Sequence, residues 1–391
     1  MKVVIAIDSF KGSLSSLQAG SAVKEAVLRL DSTAEVTVKP LADGGEGTVE
    51  AFSETADAQI VELTVTGPLL KPVAAKYCIL NATHTAVIEM AAASGITLIP
   101  ASERNPLETT TYGVGELIKD AIGRGCRRFL VGIGGSATND GGTGMLTALG
   151  YAFLDENGNP IALGAKGLKD LHTISADNVI PQLRECSFQI ACDVTNPLCG
   201  ETGCSAVYGP QKGATPAMIE NMDRWLARYA EIAKSVSASA DKNHAGAGAA
   251  GGLGFAFLSF TNATLKSGIH IVLEETKLEE AIKNADIVVT GEGRLDSQTV
   301  MGKAPIGVAR LAKKYGKTVI AFSGCVTDDA ELCNRYGIDA FFPILRGVTT
   351  LEEALDTCCA YKNLSATAYQ VFRLLIYCCP NGKHPAVEVV L

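Results

Sequence analysis

The sequence is short of the residues that several chemistries need. Histidine occurs five times in 391 residues, at His84, His172, His244, His270 and His384. None stands beside a candidate nucleophile or at ligand spacing from another, which argues against a Ser-His-Asp arrangement and against a helical His pair on zinc. The twelve cysteines are scattered (Cys78, Cys126, Cys186) or adjacent (Cys358–Cys359, Cys378–Cys379), and no C-x-x-C occurs. That spacing suits neither a disulfide framework nor a zinc cluster, and a chain of this length needs no covalent staples. No Lys/Arg block exceeds a pair and the formal net charge is −8, so no basic nucleic-acid face is expected. Met1-Lys2 leads into an apolar run that stops at Asp8, too short for the core of a signal peptide. Reduced thiols in a cytoplasmic setting are the expectation.

Other motifs are present in form and fail in context. The uncharged stretch 245–265 is long enough to span a bilayer, but it holds five glycines together with Ser259, Thr261, Asn262 and Thr264. It reads as a glycine-rich turn followed by a buried helix. Gly246-Ala-Gly-Ala-Ala-Gly251 matches the dinucleotide fingerprint, yet residues 235–244 before it are polar and supply no buried strand. Gly134-Gly-Ser-Ala-Thr138 fails the nucleophile-elbow pattern at its last position. Gly316-Lys-Thr318 lacks the first glycine of a P-loop and precedes a strand instead of following one. The loops of protein kinases are missing as well.

What remains is ordinary globular material. The chain is 47% hydrophobic and 19% charged, with 40 glycines in short clusters, as expected of an enzyme rich in tight turns and close backbone approaches. Val3–Ile7 reads as a buried strand, a helix capped by Ser13 or Ser15 follows, and Glu35–Leu41 reads as the next strand, a β-α-β opening. The far end repeats the alternation. Strands are expected at 286–290, 318–322 and 340–345, helices at 304–315, 328–336 and 351–375. Between them, 60–65 and 73–79 flank Gly67-Pro68 as a hairpin, 86–90 and 129–133 are strands, and Thr215-Pro216 opens a helix with Ile219, Met222, Leu226, Tyr229, Ala233 and Val236 on one face.

The expected fold class is therefore α/β: a Rossmann-like parallel-sheet domain of residues 1–62 and 285–376, with a second α/β domain, 63–284, inserted into it. The active site is expected in a cleft between the two, and 377–391 is expected to be a peripheral tail.

Five segments, mostly just past expected strands, combine glycine, charge and small hydroxyls. Asp8-Ser9, with Lys11, can face an anion or a metal at a strand end. Asp43 and Glu46, in a glycine turn, can bind substrate hydroxyls or Mg²⁺. The run from Gly132 to Gly142 offers successive N–H groups at Gly134 and Gly135 with Ser136, Thr138 and Asn139 beside them, a phosphate cradle. Asp193 ends a strand as a base or metal ligand, and Lys212 is a phosphate partner. Glu292, Arg294 and Asp296 follow a strand, Arg294 being able to clamp an anion bidentately, and Lys303 sits where a helix begins. Mg²⁺ ligands, cations and a carboxylate are the inventory of phosphoryl transfer.

These blocks also resemble a known family. Asp8–Leu14, Pro40–Thr48, Ile88–Gly95, Thr109–Gly113, Gly132–Gly142, Gly209–Thr215, Ala247–Gly254 and Thr290–Asp296 are similar, in order over about residues 1 to 374, to bacterial glycerate kinases of the type I, 2-phosphoglycerate-forming family. The resemblance implies ATP and Mg²⁺ as cofactors, D-glycerate as acceptor with phosphate placed on its 2-hydroxyl, and a cytoplasmic role in glycerate, glyoxylate or sugar-acid catabolism. No nucleic-acid or membrane partner is implied, and homo-oligomer formation is left open. Asp193 is expected as base or metal ligand, Lys11, Lys212 and Arg294 as anion ligands, and Asp296 as a second acid and metal ligand. Two departures stand out: Ile7 occupies a position where the family usually has proline, and the ending from Tyr377 onward is unlike the family's. The competing readings are a glycerate 3-kinase, a nicotinamide-dependent hydroxy-acid oxidoreductase resting on Gly246–Gly251, and a sugar-acid binding protein.

Overall fold

The structure is a computed structural model, and it describes residues 1–41, 47–55 and 57–378. These fall into two compact units: 1–41 with 272–378, and 47–271. The first unit is thus built from both ends of the chain, with the second lying between them in sequence. The edges expected at 62 and 285 lie elsewhere than the edges of these units. Position 62 falls within the strand Ala58–Thr66, all of which pairs with Pro72–Leu80 in the second unit.

The first unit holds five parallel strands in the order Ala340–Pro343, Thr318–Val326, Ile287–Leu295, Lys2–Ile7, Glu35–Val38. Counted within the unit this is 2-1-3-4-5, a doubly wound order whose direction reverses between Lys2–Ile7 and Ile287–Leu295. Val3 to Ile7 are all buried, as a strand covered on both faces must be. The helix Ser16–Leu30 is capped by Ser15, whose hydroxyl accepts from Gln18 N while the Gln18 side chain accepts from Ser15 N. Its Ala19, Val23, Ala26 and Val27 join Ile5, Ile7, Phe322 and Phe372 in one core. Ile7, the position noted for its departure, is 1% exposed and packs in that core.

Three expected elements differ here. The strand expected to stop at Thr290 runs on to Leu295, because its neighbour Thr318–Val326 is long enough to pair with Glu292, Arg294 and Leu295. Only glycine serves at 291: a Cβ there would lie 2.1 Å from the Phe322 carbonyl oxygen. The single helix expected over 351–375 is two, Leu351–Leu355 and Thr357–Cys378. Asp356 turns the chain to an extended ψ of 124° and accepts from Cys359 N at 2.8 Å, capping the second helix. The helix expected at 328–336 is a 3-10 turn, Asp328–Glu331, followed by one α-turn, Leu332–Arg335. The tail from 379 onward lies outside the described residues.

The second unit has a mixed six-stranded sheet in the order Ala263–Lys266, Ser187–Ala191, Arg128–Gly132, Thr85–Glu89, Pro72–Leu80, Ala58–Thr66. The first four are parallel, and the last two form the expected hairpin around Gly67-Pro68. The strand at Phe129 sits in the middle of this sheet. The helix Pro216–Ala233, capped by Thr215, buries Met222, Leu226, Tyr229 and Ala233. The uncharged stretch 245–265 contains the helix Ala249–Phe260, nearly all buried, with left-handed backbone at Ala250, Gly251 and Gly252. Among the described residues, no helix is long and apolar enough to cross a membrane.

Candidate functional site

In each unit the charged and glycine-rich segments gather at the carboxyl ends of parallel strands, where open α/β sheets bind ligands. In the first unit the reversal point lies between the ends of Lys2–Ile7 and Ile287–Leu295. Asp8 follows the first of these, its N–H donating to the Gly291 carbonyl at 2.9 Å. Its carboxylate accepts from Ser9 N at 2.7 Å and the residue is 7% exposed. Ser16 ties this corner together, its hydroxyl donating to the Ile7 carbonyl and accepting from Leu41 N at 2.8 Å. Lys11 is exposed in the turn that follows.

The neighbouring strand carries the densest charge. Glu292 is 9% exposed, and its carboxylate accepts from the Thr299 hydroxyl at 2.7 Å and from Lys303 Nζ at 3.1 Å. Burial pushes this carboxyl up from its ordinary range, against the pull of Thr299 and Lys303. Asp296 stands beside the same lysine, with Lys303 Nζ 4.0 Å from Oδ1, and pairs with Arg294 Nε at 3.2 Å. Its Oδ1 accepts from Gln298 N, and its own N–H donates to Thr299 Oγ1. Glu292, Arg294, Asp296 and Lys303 therefore form one cluster, joined by a Thr299 that the sequence did not single out. The Arg294 guanidinium remains largely in solvent.

In the second unit the strand Arg128–Gly132 delivers the glycine-rich turn. Its tip, Gly134 and Gly135, is exposed and Ser136 is half-buried, whereas Thr138, Asn139 and Asp140 are completely buried. Lys212 is 2% exposed and turned into this loop, donating to Ser136 Oγ at 2.8 Å and to the Thr138 carbonyl at 2.6 Å. Burial pushes its ammonium down to about 8. Asn139 donates to Ser205 Oγ at 2.8 Å. The Thr138 hydroxyl and the Asn139 side-chain oxygen Oδ1 are buried and have no hydrogen-bond partner among the described residues.

Asp140, which the sequence did not mark, fixes the loop from below. Its carboxylate accepts from Thr111 N at 2.8 Å, Thr111 Oγ1 at 2.9 Å, Gly142 N at 3.1 Å and Gly144 N at 3.3 Å. Burial raises this carboxyl above its usual range, against the pull of those donors. The available signal was the hydroxyl run Thr109-Thr-Thr111, whose purpose is legible only once its partner is known.

The fingerprint-like Gly246–Gly251 is also spent internally. Gly251 has φ +67°, and a Cβ on it would lie 2.0 Å from the Thr138 carbonyl oxygen, while its own carbonyl accepts from Gly141 N at 2.9 Å. These glycines let one backbone lie against another. Asp193 is exposed at the carboxyl end of Ser187–Ala191, where its Oδ1 accepts from Gly268 N, the first residue of the helix Gly268–Glu275. Asp43 and Glu46 lie outside the described residues. Among those described, no group of three or more His, Cys, Asp or Glu converges as a metal cage.

Parallel α/β sheets that carry anion-ready turns and paired charges at their strand ends define an enzyme architecture for a small charged substrate. The chain belongs to the glycerate kinase family, whose model matches residues 3–376. It is 46% identical over 377 residues to a glycerate kinase of Haemophilus influenzae, covering 96% of this chain and 99% of that one. It is 47% identical over 372 residues to the glycerate 2-kinase of Escherichia coli, covering 94% and 98%. A crystal structure from Salmonella typhimurium LT2, carrying the provisional name glycerate kinase 2, superposes with a TM-score of 0.88 at 47% identity over 96% of this chain and 98% of its own.

Proposed function

We propose that this protein transfers the γ-phosphoryl group of ATP to the 2-hydroxyl of D-glycerate, giving 2-phosphoglycerate and ADP in the cytoplasm. The observation that carries this is the nearly end-to-end similarity to the Escherichia coli protein named glycerate 2-kinase. In the reaction the hydroxyl oxygen bonds to the γ-phosphorus as the bond to the β,γ-bridging oxygen breaks, and the hydroxyl proton passes to a carboxylate. Such transfer is mostly positioning and charge stabilisation.

Residue roles follow from the local chemistry. The N–H groups at Gly134 and Gly135 with the Ser136 hydroxyl hold phosphate oxygens. Lys212, whose amine is engaged by Ser136 and the Thr138 carbonyl, acts by holding that turn in shape. Lys11 and Arg294 are anion ligands, Asp193 is the base or a metal ligand, and Asp296 is the second acid. The Glu292 and Asp296 oxygens are hard donors that suit Mg²⁺, which takes one or two carboxylates and otherwise keeps water and phosphate oxygens. The ion, when bound, would neutralise charge on the transferring phosphates; Asp296 in the first unit and Asp193 in the second are each a candidate to hold it.

The test is a phosphorus NMR time course of the purified protein with MgATP and D-glycerate. A growing 2-phosphoglycerate signal is expected. A 3-phosphoglycerate signal would overturn the regiochemistry, and unchanged ATP with a folded protein would overturn the reading itself.

A further inference from the structure

A cavity of about 320 Å³ opens in the second unit at the amino-terminal edge of its parallel strands. Arg184 lines it just before Ser187–Ala191, and Thr261 and Asn262 line it just before Ala263–Lys266. Asp193, at the other end of Ser187–Ala191, is about 17 Å away along a strand of this length. The cavity therefore belongs to a different place from the glycine-rich turn and has no part in the site described above.

Its lining has a consistent chemistry. Arg184 is the only residue lining it with a formal charge at neutral pH, and no carboxylate lines it. No ion pair engages the Arg184 guanidinium among the described residues, whereas the adjacent Glu185 is taken by Arg127. The guanidinium acts on the Tyr151 phenol, which burial pushes up and Arg184 pulls back. Ser237, Ser239 and Ser259 also line it; the Ser237 hydroxyl donates to the Ser259 carbonyl and accepts from Ser239 N, which leaves the Ser239 and Ser259 hydroxyls for a ligand. The Ser259 hydroxyl is buried and has no hydrogen-bond partner among the described residues, an uncompensated cost that a ligand oxygen would relieve. Asn262 holds the Arg184 backbone, its amide donating to the Arg184 and Cys186 carbonyls. Val179, Leu183 and Phe260 form the apolar wall.

We infer that this cavity is a second ligand site, built for the phosphate monoester of a small hydroxylated molecule. A guanidinium without an ion pair among the described residues offers a planar fork to two phosphate oxygens, and the Ser239 and Ser259 hydroxyls complement the third. The apolar wall accommodates a short carbon chain, and the volume is at the small end of ligand pockets. The helix Ala249–Phe260 links this cavity to the glycine-rich turn: Ser259 lines the cavity at one end, and Gly251 lies against Thr138 at the other. A ligand held at Ser259 thus touches the element that supports the turn.

The experiment is isothermal titration of the full chain with glycerol 3-phosphate, using Arg184→Ala as the baseline for binding anywhere else. Arg184 is exposed and Ser259 has an orphan hydroxyl, so Arg184→Ala and Ser259→Ala should both fold, as their melting curves will report. Arg184→Ala is expected to remove this binding or weaken it at least tenfold, and Ser259→Ala to weaken it about threefold. Equal binding by the wild type and Arg184→Ala, or no binding by either, would overturn the site. Malate binding as tightly as glycerol 3-phosphate in the wild type would overturn the phosphate assignment.

Discussion

Lys212 Nζ lies 2.6 Å from the backbone carbonyl oxygen of Thr138, a residue 74 positions earlier in the chain. This contact and the one to Ser136 make a buried amine the inner strut of the glycine-rich turn. A neutral amine still has two N–H donors for those two acceptors, so the strut survives deprotonation.

Stability should therefore depend on pH through Lys212. Its ordinary value of 10.5 is lowered to about 8 in the folded protein, so between these values the unfolded chain binds the extra proton. Folded stability attributable to this residue must then rise as pH rises from about 8 to 10.5, and below 8 the cost of the buried charge is fully present. Chemical denaturation of the wild type and Lys212→Met across pH 7 to 10.5 reads this directly. The wild type should gain on the order of 3 kcal/mol relative to the variant; a constant difference would show that the amine titrates normally.

Asp140→Asn should destabilise the second unit more than it alters any surface chemistry. An amide puts an N–H₂ group where an oxygen now accepts from several donors, leaving buried partners unmatched. A loss of about 2–4 kcal/mol is expected in denaturant titrations. A variant as stable as the wild type would mean that the turn is not held by this carboxylate.

Glycines at two positions separate strain from collision. Gly251→Ala adds a Cβ 2.0 Å from the Thr138 carbonyl oxygen at φ +67°, whereas Gly316→Ala, at φ +64°, meets nothing within 4 Å. The second should cost about 1 kcal/mol from backbone strain alone. The first should cost at least twice that and also reduce phosphoryl transfer, because the turn must shift. Equal losses in the two melting curves would remove the packing explanation.

The charge cluster predicts a pH effect on turnover. Lys303 lowers the Glu292 carboxyl against the upward push of burial. Lys303→Met removes that pull, so Glu292 should protonate at higher pH. The acid limb of kcat/KM should therefore move toward neutrality in the variant; an unmoved limb would show that the Glu292 carboxyl does not govern turnover. Asp296→Asn and Asp193→Asn are each expected to lower kcat at least a hundredfold while leaving the melting temperature nearly unchanged. A folded variant retaining full turnover would remove that residue from the chemistry.

Much of the α/β alternation was legible because local signals agreed. Thr215-Pro216 opened a helix, Gly67-Pro68 turned a hairpin, and buried runs such as Val3–Ile7 could only be interior strands. The structure shows where local signals end. Nothing within Gly291–Leu295 announces a strand, since its pairing is imposed by Thr318–Val326. Asp356 looks like any helical acid until Cys359 N is seen to need a cap. At the candidate site, residue types marked segments that the fold places at strand ends, but not the directions their side chains take. Lys212 and Asn139 have the same chemistry whether they face a ligand or the inside of a turn, and only the fold decides.

The first unit's sheet has a consequence for synthesis. Lys2–Ile7 leaves the ribosome before its neighbour Ile287–Leu295, which follows some 280 residues later. At about 5–20 residues per second, that strand waits roughly 14–56 s with one edge unpaired. The intervening unit is contiguous and can collapse during that interval. Translation order therefore gives the inserted unit time to fold before Lys2–Ile7 meets this partner, and the open edge of that strand is exposed over the same interval.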